Sequence, residues 1–181
     1  MIYFLTTASH MYTHSVIAKA LPQFKQLSYP AVLARRSLPC ATYIFGDVDR
    51  LSPWQLELAA RLYRQLKAGG AQVVNDPARV IHRLPLLKKL HRQGINSFKV
   101  WDAAEADTVD RFPVFIRTRF AHRGVLSDLL QDEEALRAEI DRASDQGFTM
   151  SDLIIVEFRA QEIRPGLFRK HSVYRIGSRY V

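Results

Sequence analysis

The segment SPWQLELAARLYRQLKAGG, residues 52–70, constrains the fold more than any other stretch of the chain. Ser52 suits a helix cap, Pro53 suits the first helical position because its missing N–H would go unbonded there, and Gly69-Gly70 supply the stop. Between them Leu56, Ala59, Ala60, Tyr63 and Leu66 recur at helical spacing, so the helix has one apolar face. Short β-rich runs flank it, CATYIFGD (40–47) before and AQVVN (71–75) after. A strand, a helix and a strand on short turns predict parallel strands with the helix as their crossover.

The residues upstream extend the pattern. IYFLTT (2–7) reads as a strand, and ASHMYTHSVIAKALPQF follows with helical spacing, Ser9 as its cap and Pro22 near its end. AVLARR (31–36) reads as a short strand. The order β-α-β-β-α-β predicts a small α/β lobe with a mostly parallel sheet over residues 1–101. Such sheets bind ligands beyond the carboxyl ends of their strands, where Gly46-Asp47 and Asn75-Asp76-Pro77 fall. ARVIHRLPLLKKLHRQGI (78–95) is a basic helical stretch interrupted at Pro85, and SFKVW (97–101) is a strand.

The second half changes character at the acidic stretch DAAEADTVD (102–110), the best boundary in the sequence. RFPVFIRTRF (111–120) is a strand, AHRGVLSDL (121–129) a loop or hairpin turn, and DEEALRAEIDRASDQG (132–147) an exposed helix capped by Asp132. DLIIVEF (152–158) is a buried strand, and LFRKHSVYRI (167–176) is another after the Pro165-Gly166 turn. This order predicts an α+β lobe with an antiparallel sheet over residues 102–181.

Charge narrows the partner. The chain carries a formal +8, and residues 1–46 contain Lys19, Lys25, Arg35 and Arg36 with no acid at all. An anionic ligand suits this balance, as does a plain solvated surface. Arg outnumbers Lys nineteen to seven, which favours forked recognition of phosphate or carboxylate. Cys40 is the sole cysteine, so no internal disulfide forms and a reducing cytoplasm fits. No apolar run approaches the roughly 20 residues that a membrane span needs, and the N-terminus lacks the basic start of a signal peptide. His10 and His14 stand at a spacing that holds zinc on a helix, but no third ligand accompanies them, and a surface pair is the plainer account. Asp47 and Asp49 in GDVDR suit either a substrate-touching loop or a turn with exposed acids.

Four pieces in order, VVNDPARVIHRLPLLKKL, FPVFIRTRFAHRG, LIIVEF and GLFRKHSVYRIGSRYV, resemble the ATP-grasp superfamily over about residues 70–181. The α/β lobe before them resembles the domain that precedes an ATP-grasp fold. The resemblance implies that ATP is held between two α+β lobes and phosphorylates a small carboxylate, which an amine then attacks. Lys88, next to Lys89, falls at the first nucleotide-binding lysine, and Arg117 falls where the family has a strand lysine beside the phosphates. Arginine there keeps the charge but widens the contact. His122, Arg123 and Gly124 take the place of the glycine-rich loop that closes over the phosphates. Glu157, Phe158 and Arg159 occupy the hinge whose backbone meets the adenine edge, Glu162 is the candidate for the ribose hydroxyls, and Lys170 is a further phosphate-facing cation. By themselves a KK pair also suits a solvated helix face and AHRG a plain hairpin turn.

The physical requirements agree in part. Phosphoryl transfer needs cations on separate elements, backbone donors over the phosphates and metal-binding carboxylates. The first two have candidates here. The family's magnesium ligands do not, because no side-chain carboxylate follows Glu162. On this reading the chain stops inside the fold: it is a fragment of a longer ATP-dependent ligase, or a short form that binds ATP without catalysis. The alternatives are a basic nucleic-acid-binding module, with Phe120, Phe168 and Tyr174 among arginines, and a scaffold that forms homo-oligomers through an open sheet edge.

Overall fold

The computed structural model describes residues 1–120, 124–169 and 171–181. The chain divides into two units, Met1–Pro85 with Phe120, and Leu86–Arg119 with the described residues from Gly124 onward.

The first unit holds β1 (Ile2–Thr6), α1 (Ser15–Ala20), β2 (Phe24–Ser28), α2 (Tyr29–Leu33), β3 (Thr42–Phe45), α3 (Pro53–Ala68) and β4 (Gln72–Val74). The strands form one parallel sheet in the order β2-β1-β3-β4, the α/β arrangement expected of the sequence. Leu5, Tyr43 and Phe45 from the strands pack against Val32, Leu62 and Leu66 from the helices. At the start of α3, Gln55 Oε1 accepts the Ser52 backbone N–H at 2.9 Å, one arm of a capping box.

Three expectations are corrected here. AVLARR is not a strand: α2 takes its first three residues, because Ser28 Oγ accepts the Ala31 N–H at 3.3 Å and Pro30 pre-sets the first turn. The strand before it, FKQLS, went unpredicted because Lys25 and Gln26 disguise it, yet it pairs with β1 along all five residues. The first helix is mainly a 3-10 turn over Ala8–His14, with Thr7 and not Ser9 at its cap position.

The second unit follows from α4 (Arg83–Arg92), within which the division between the units falls. Pro85 lies in the first turn of α4, where a missing N–H costs nothing, so it helps start this helix and does not interrupt it. Next come β5 (Val100–Asp102), β6 (Val114–Thr118), α5 (Glu133–Asp145) and β7 (Leu153–Glu157). The three strands form an antiparallel sheet in the order β5-β7-β6, which makes this unit α+β. Asp132 caps α5, its Oδ1 accepting the Ala135 N–H at 2.9 Å. The acidic stretch 102–110 contains the end of β5 and a 3-10 helix at Ala103–Thr108, and Ala103 lies in the core of this unit.

Beyond β7 run two small hairpins, β8 (Glu162–Arg164) with β9 (Leu167–Phe168) and β10 (Arg175–Ile176) with β11 (Arg179–Tyr180). The expected strand over 167–176 is therefore two short pieces, each paired with its own neighbour in sequence. The glycine turns at 166 and 177, both at positive φ, lie at the two ends of that segment and give each short piece its own hairpin partner. Among the described residues no helix is long and apolar enough to cross a membrane.

Candidate functional site

Side chains along a strand alternate between faces, and residues opposite one another in register share a face. In the antiparallel sheet, Ile116, Ile155 and Trp101 form one row and meet Leu136, Ile140 and Ala143 of α5. The other parity brings Phe115, Val156 and Val100 into one row, and Arg117, Ile154 and Asp102 into the next. Arg117 therefore projects from the face turned away from α5. It is half-buried, as is Phe115.

That face has two chemically distinct ends. At one end the Phe158 ring stands 6.5 Å from Phe115 and 5.0 Å from Phe168, edge to face in both pairs. At the other, Arg117 is followed on the same strand parity by Arg119. Arg119 donates to Asp102 in a close ion pair, and its N–H meets the Asp152 carbonyl at 2.6 Å. Lys88 reaches this end from α4: its Nζ lies 2.7 Å from Glu105 Oε2, the same oxygen that accepts the Asp102 N–H at 3.2 Å. The Lys88 hydrogen bond, with help from that N–H, holds the Glu105 carboxyl below its usual range. At roughly 3.3 Å per strand residue, Phe115 and Arg117 lie only about 7 Å apart along β6.

Glu157 belongs elsewhere. It pairs in register with Val114, so its side chain projects on the α5 side of the sheet, and it is 4% exposed. Its carboxylate is fully engaged: Oε2 accepts the Lys99 N–H at 2.8 Å and lies 3.7 Å from Arg111 Nη1, while Oε1 lies 3.3 Å from Arg159 Nε. This is how a buried carboxylate is tolerated, by charge and by a backbone donor together. The Glu157 and Phe158 N–H groups also bond within the unit, to the Lys99 and Pro113 carbonyls.

The remaining expected residues are scattered. Arg159 is exposed beside Glu157, and Glu162 is exposed on β8, its Oε1 accepting the Gly166 N–H at 3.4 Å. Gly124 has φ +81, a conformation that favours glycine. His122, Arg123 and Lys170 lie outside the described residues. Thus the structure brings Arg117, Phe158 and Phe115 onto one face, links Lys88 to its charged end through Glu105, and turns Glu157 away. Sequence reasoning missed Arg119, Asp102 and Phe115, and named Phe168 only for the nucleic-acid reading. The period-2 pattern of VFIRTRF carried the signal for Phe115 and Arg119; nothing local carried one for Asp102.

In the parallel unit, Asp47 follows β3 with φ +50 and is not an exposed turn acid. It accepts close hydrogen bonds from Thr6 Oγ1 and, at 3.2 Å each, from the Thr7 N–H and hydroxyl, and it lies 3.6 Å from Arg50 Nε. Burial pushes its carboxyl up, but these donors outweigh burial and hold it below the usual value. Gly46 is required beside it, since a Cβ there would overlap the Phe4 ring and come within 2.9 Å of the Leu5 carbonyl. His10 and His14 do not converge: Nδ1 of His10 meets the Thr7 hydroxyl at 2.8 Å, and His14 packs on Phe4. A 3-10 helix does not bring i and i+4 onto one face. Among the described residues no group of three or more His, Cys, Asp or Glu is arranged to hold a metal ion.

No family model matches the chain, and no curated protein sequence matches it. Among solved structures, the chain is similar to a RimK domain ATP-grasp protein from Sphaerobacter thermophilus, at 18% identity and TM-score 0.46 over 87% of this chain. It is similar also to D-cycloserine synthetase DcsG, at 13% identity and TM-score 0.46 over 86% of this chain. The D-alanine–D-alanine ligase of Helicobacter pylori is similar at 13% identity and TM-score 0.46 over 99% of this chain. The chain spans 63%, 58% and 69% of the lengths of these three proteins. Likenesses of this depth leave the functional reading to the chain's own residues.

Proposed function

We propose that the antiparallel unit binds ATP on the sheet face turned away from α5, as part of a cytoplasmic carboxylate–amine ligase of the ATP-grasp kind. What supports this reading is the division of one sheet face into an aromatic end and a charged end, where Arg117 stands beside the Arg119–Asp102 and Lys88–Glu105 pairs. A purine has a flat apolar body, and its triphosphate is a dense anion. Phe158, between Phe115 and Phe168, offers the base an aromatic edge and face. The Phe158 carbonyl and the Arg159 backbone take the adenine edge, since the Phe158 N–H is bonded to Pro113, and Glu162 takes the ribose hydroxyls. Arg117 receives the phosphates, with Lys88 and Lys170 as further cations and His122, Arg123 and Gly124 covering them.

Arg119 and Glu157 act by positioning. Arg119, tied to Asp102, clamps β6 to β5 across β7, and so fixes the strand that carries Arg117. Glu157 ties the end of β7 to Lys99, Arg111 and Arg159 and fixes the hinge at Phe158. Bound ATP would supply the phosphoryl group that activates a carboxylate. Among the described residues no cluster of three or more carboxylate, imidazole or thiol side chains stands ready to hold magnesium.

Thermal melts with ATP test the reading. Ligand at about 100 times its dissociation constant adds roughly 2.7 kcal/mol, a plain upward shift in Tm. Arg117→Gln should weaken ATP about tenfold, as expected for losing one charge-assisted contact of about 1.4 kcal/mol or more. No shift with ATP would sink the proposal. A shift with a polynucleotide alone, steeply lost as salt rises, would replace it with the nucleic-acid reading.

A further inference from the structure

A cavity of about 490 Å³ opens in the parallel unit at the end remote from Asp47. Cys40 and Ala71, which line it, precede β3 and β4, so it lies at the amino ends of those strands. Its walls have two chemistries. Leu58, Leu62 and Leu66 stand at i, i+4, i+8 along α3 and, with Val32 of α2, make an apolar floor. Arg35 and Arg36, from the segment after α2, and Arg61, one turn from Leu58, make a cationic rim.

No carboxylate lines this cavity. Arg61 shares its charge with Glu57, an exposed pair one turn back on α3. Among the described residues neither Arg35 nor Arg36 makes an ion pair, and the first acid in the chain is Asp47. The carboxyl end of short α2 faces this segment, but a helix dipole of at most about half a charge offsets only part of the two positive charges of Arg35 and Arg36. The volume falls within the roughly 300–1,000 Å³ of small-molecule sites.

We infer that this cavity binds a small anion with an apolar body, a medium-chain or aryl carboxylate, its head on Arg35 and Arg36 and its body against Leu58, Leu62 and Leu66. The site lies within the parallel unit, makes no use of the ATP face, and stands or falls separately from the ATP proposal.

Cys40 supplies the readout. It is exposed, lines the cavity, and is the chain's sole thiol. The rate of its modification by N-ethylmaleimide, a neutral reagent, should fall saturably with octanoate. Octan-1-ol should need at least about tenfold more, since it lacks the charge-assisted contact, and acetate should not protect. Arg35→Gln with Arg36→Gln, both exposed side chains, should raise the half-protecting octanoate concentration roughly tenfold. Unfolding by a surfactant would speed the reaction, so slowing reports occupancy. Equal protection by octan-1-ol, protection by acetate, an unchanged double variant, or no slowing with octanoate would each overturn the inference.

Discussion

The two faces of the antiparallel sheet are built from alternate residues of the same strands, yet they serve different ends. Toward α5 the rows are Ile116–Ile155–Trp101 and their neighbours, closed by Leu136 and Ile140. Away from α5 the rows carry Phe115, Arg117 and Asp102, with Phe158 beyond. The first face holds the unit together, and the second carries aromatic and charged side chains. A strand of five residues can do both because its period of two separates the tasks.

Substitutions on the two faces should therefore separate stability from binding. Leu136→Ala empties a fully buried site against the sheet and should cost about 2–5 kcal/mol in a urea melt, with the ATP affinity of the folded fraction unchanged. An equal loss of affinity would mean that the faces are not independent. Glu157→Ala should cost about 1–3 kcal/mol, because the Lys99 N–H loses its acceptor while Arg111 and Arg159 turn out to water. Glu157→Gln, which keeps an acceptor, should recover much of this by the same measurement.

Phe158→Ala reverses the ranking. Its ring is half-buried, so stability should fall by about 1 kcal/mol or less, while base stacking worth roughly 1–3 kcal/mol is lost from ATP binding. Calorimetric titration reads the second effect and thermal melts the first. The smallest change belongs to the parallel unit. Because the folded Asp47 carboxyl lies below its ordinary value of 3.8, it stabilises the fold above that pH and loses this contribution as pH falls through the lowered value. Melts between pH 7 and 2.5 should show Asp47→Asn less stable than the native chain near neutrality, with the gap closing in the acid limb. A constant gap would assign the effect to geometry and not to charge.

Legibility in the sequence tracked how local each cause is. The helix over 53–68 was plain because its cap, its proline, its apolar face and its glycine stop agree. AVLARR misled because Val32 and Leu33 suit a strand, while the decisive Ser28 cap stands three residues upstream. FKQLS stayed hidden because its pairing with β1 is a tertiary fact. The strand that carries Arg117 was legible in FPVFIR, and alternation puts Phe115 and Arg119 on the same face. The fate of Glu157 was not, since Lys99 and Arg111 approach it from 58 and 46 positions away, distances that no spacing rule reaches.

The hairpins after β7 have a consequence in time. β7 is buried along all five residues and bonded on both sides, whereas β10 and β11 pair only with each other and the described side chains around them face water. A two-stranded ladder is marginal by itself, and its opening leaves the three-stranded sheet intact. Amide hydrogens of Tyr174 and Val181, bonded to each other's carbonyls at 2.7 and 2.9 Å, should exchange with deuterium within the first moments in heavy water. Those of Ile154 and Ile155 should wait for the whole unit to unfold.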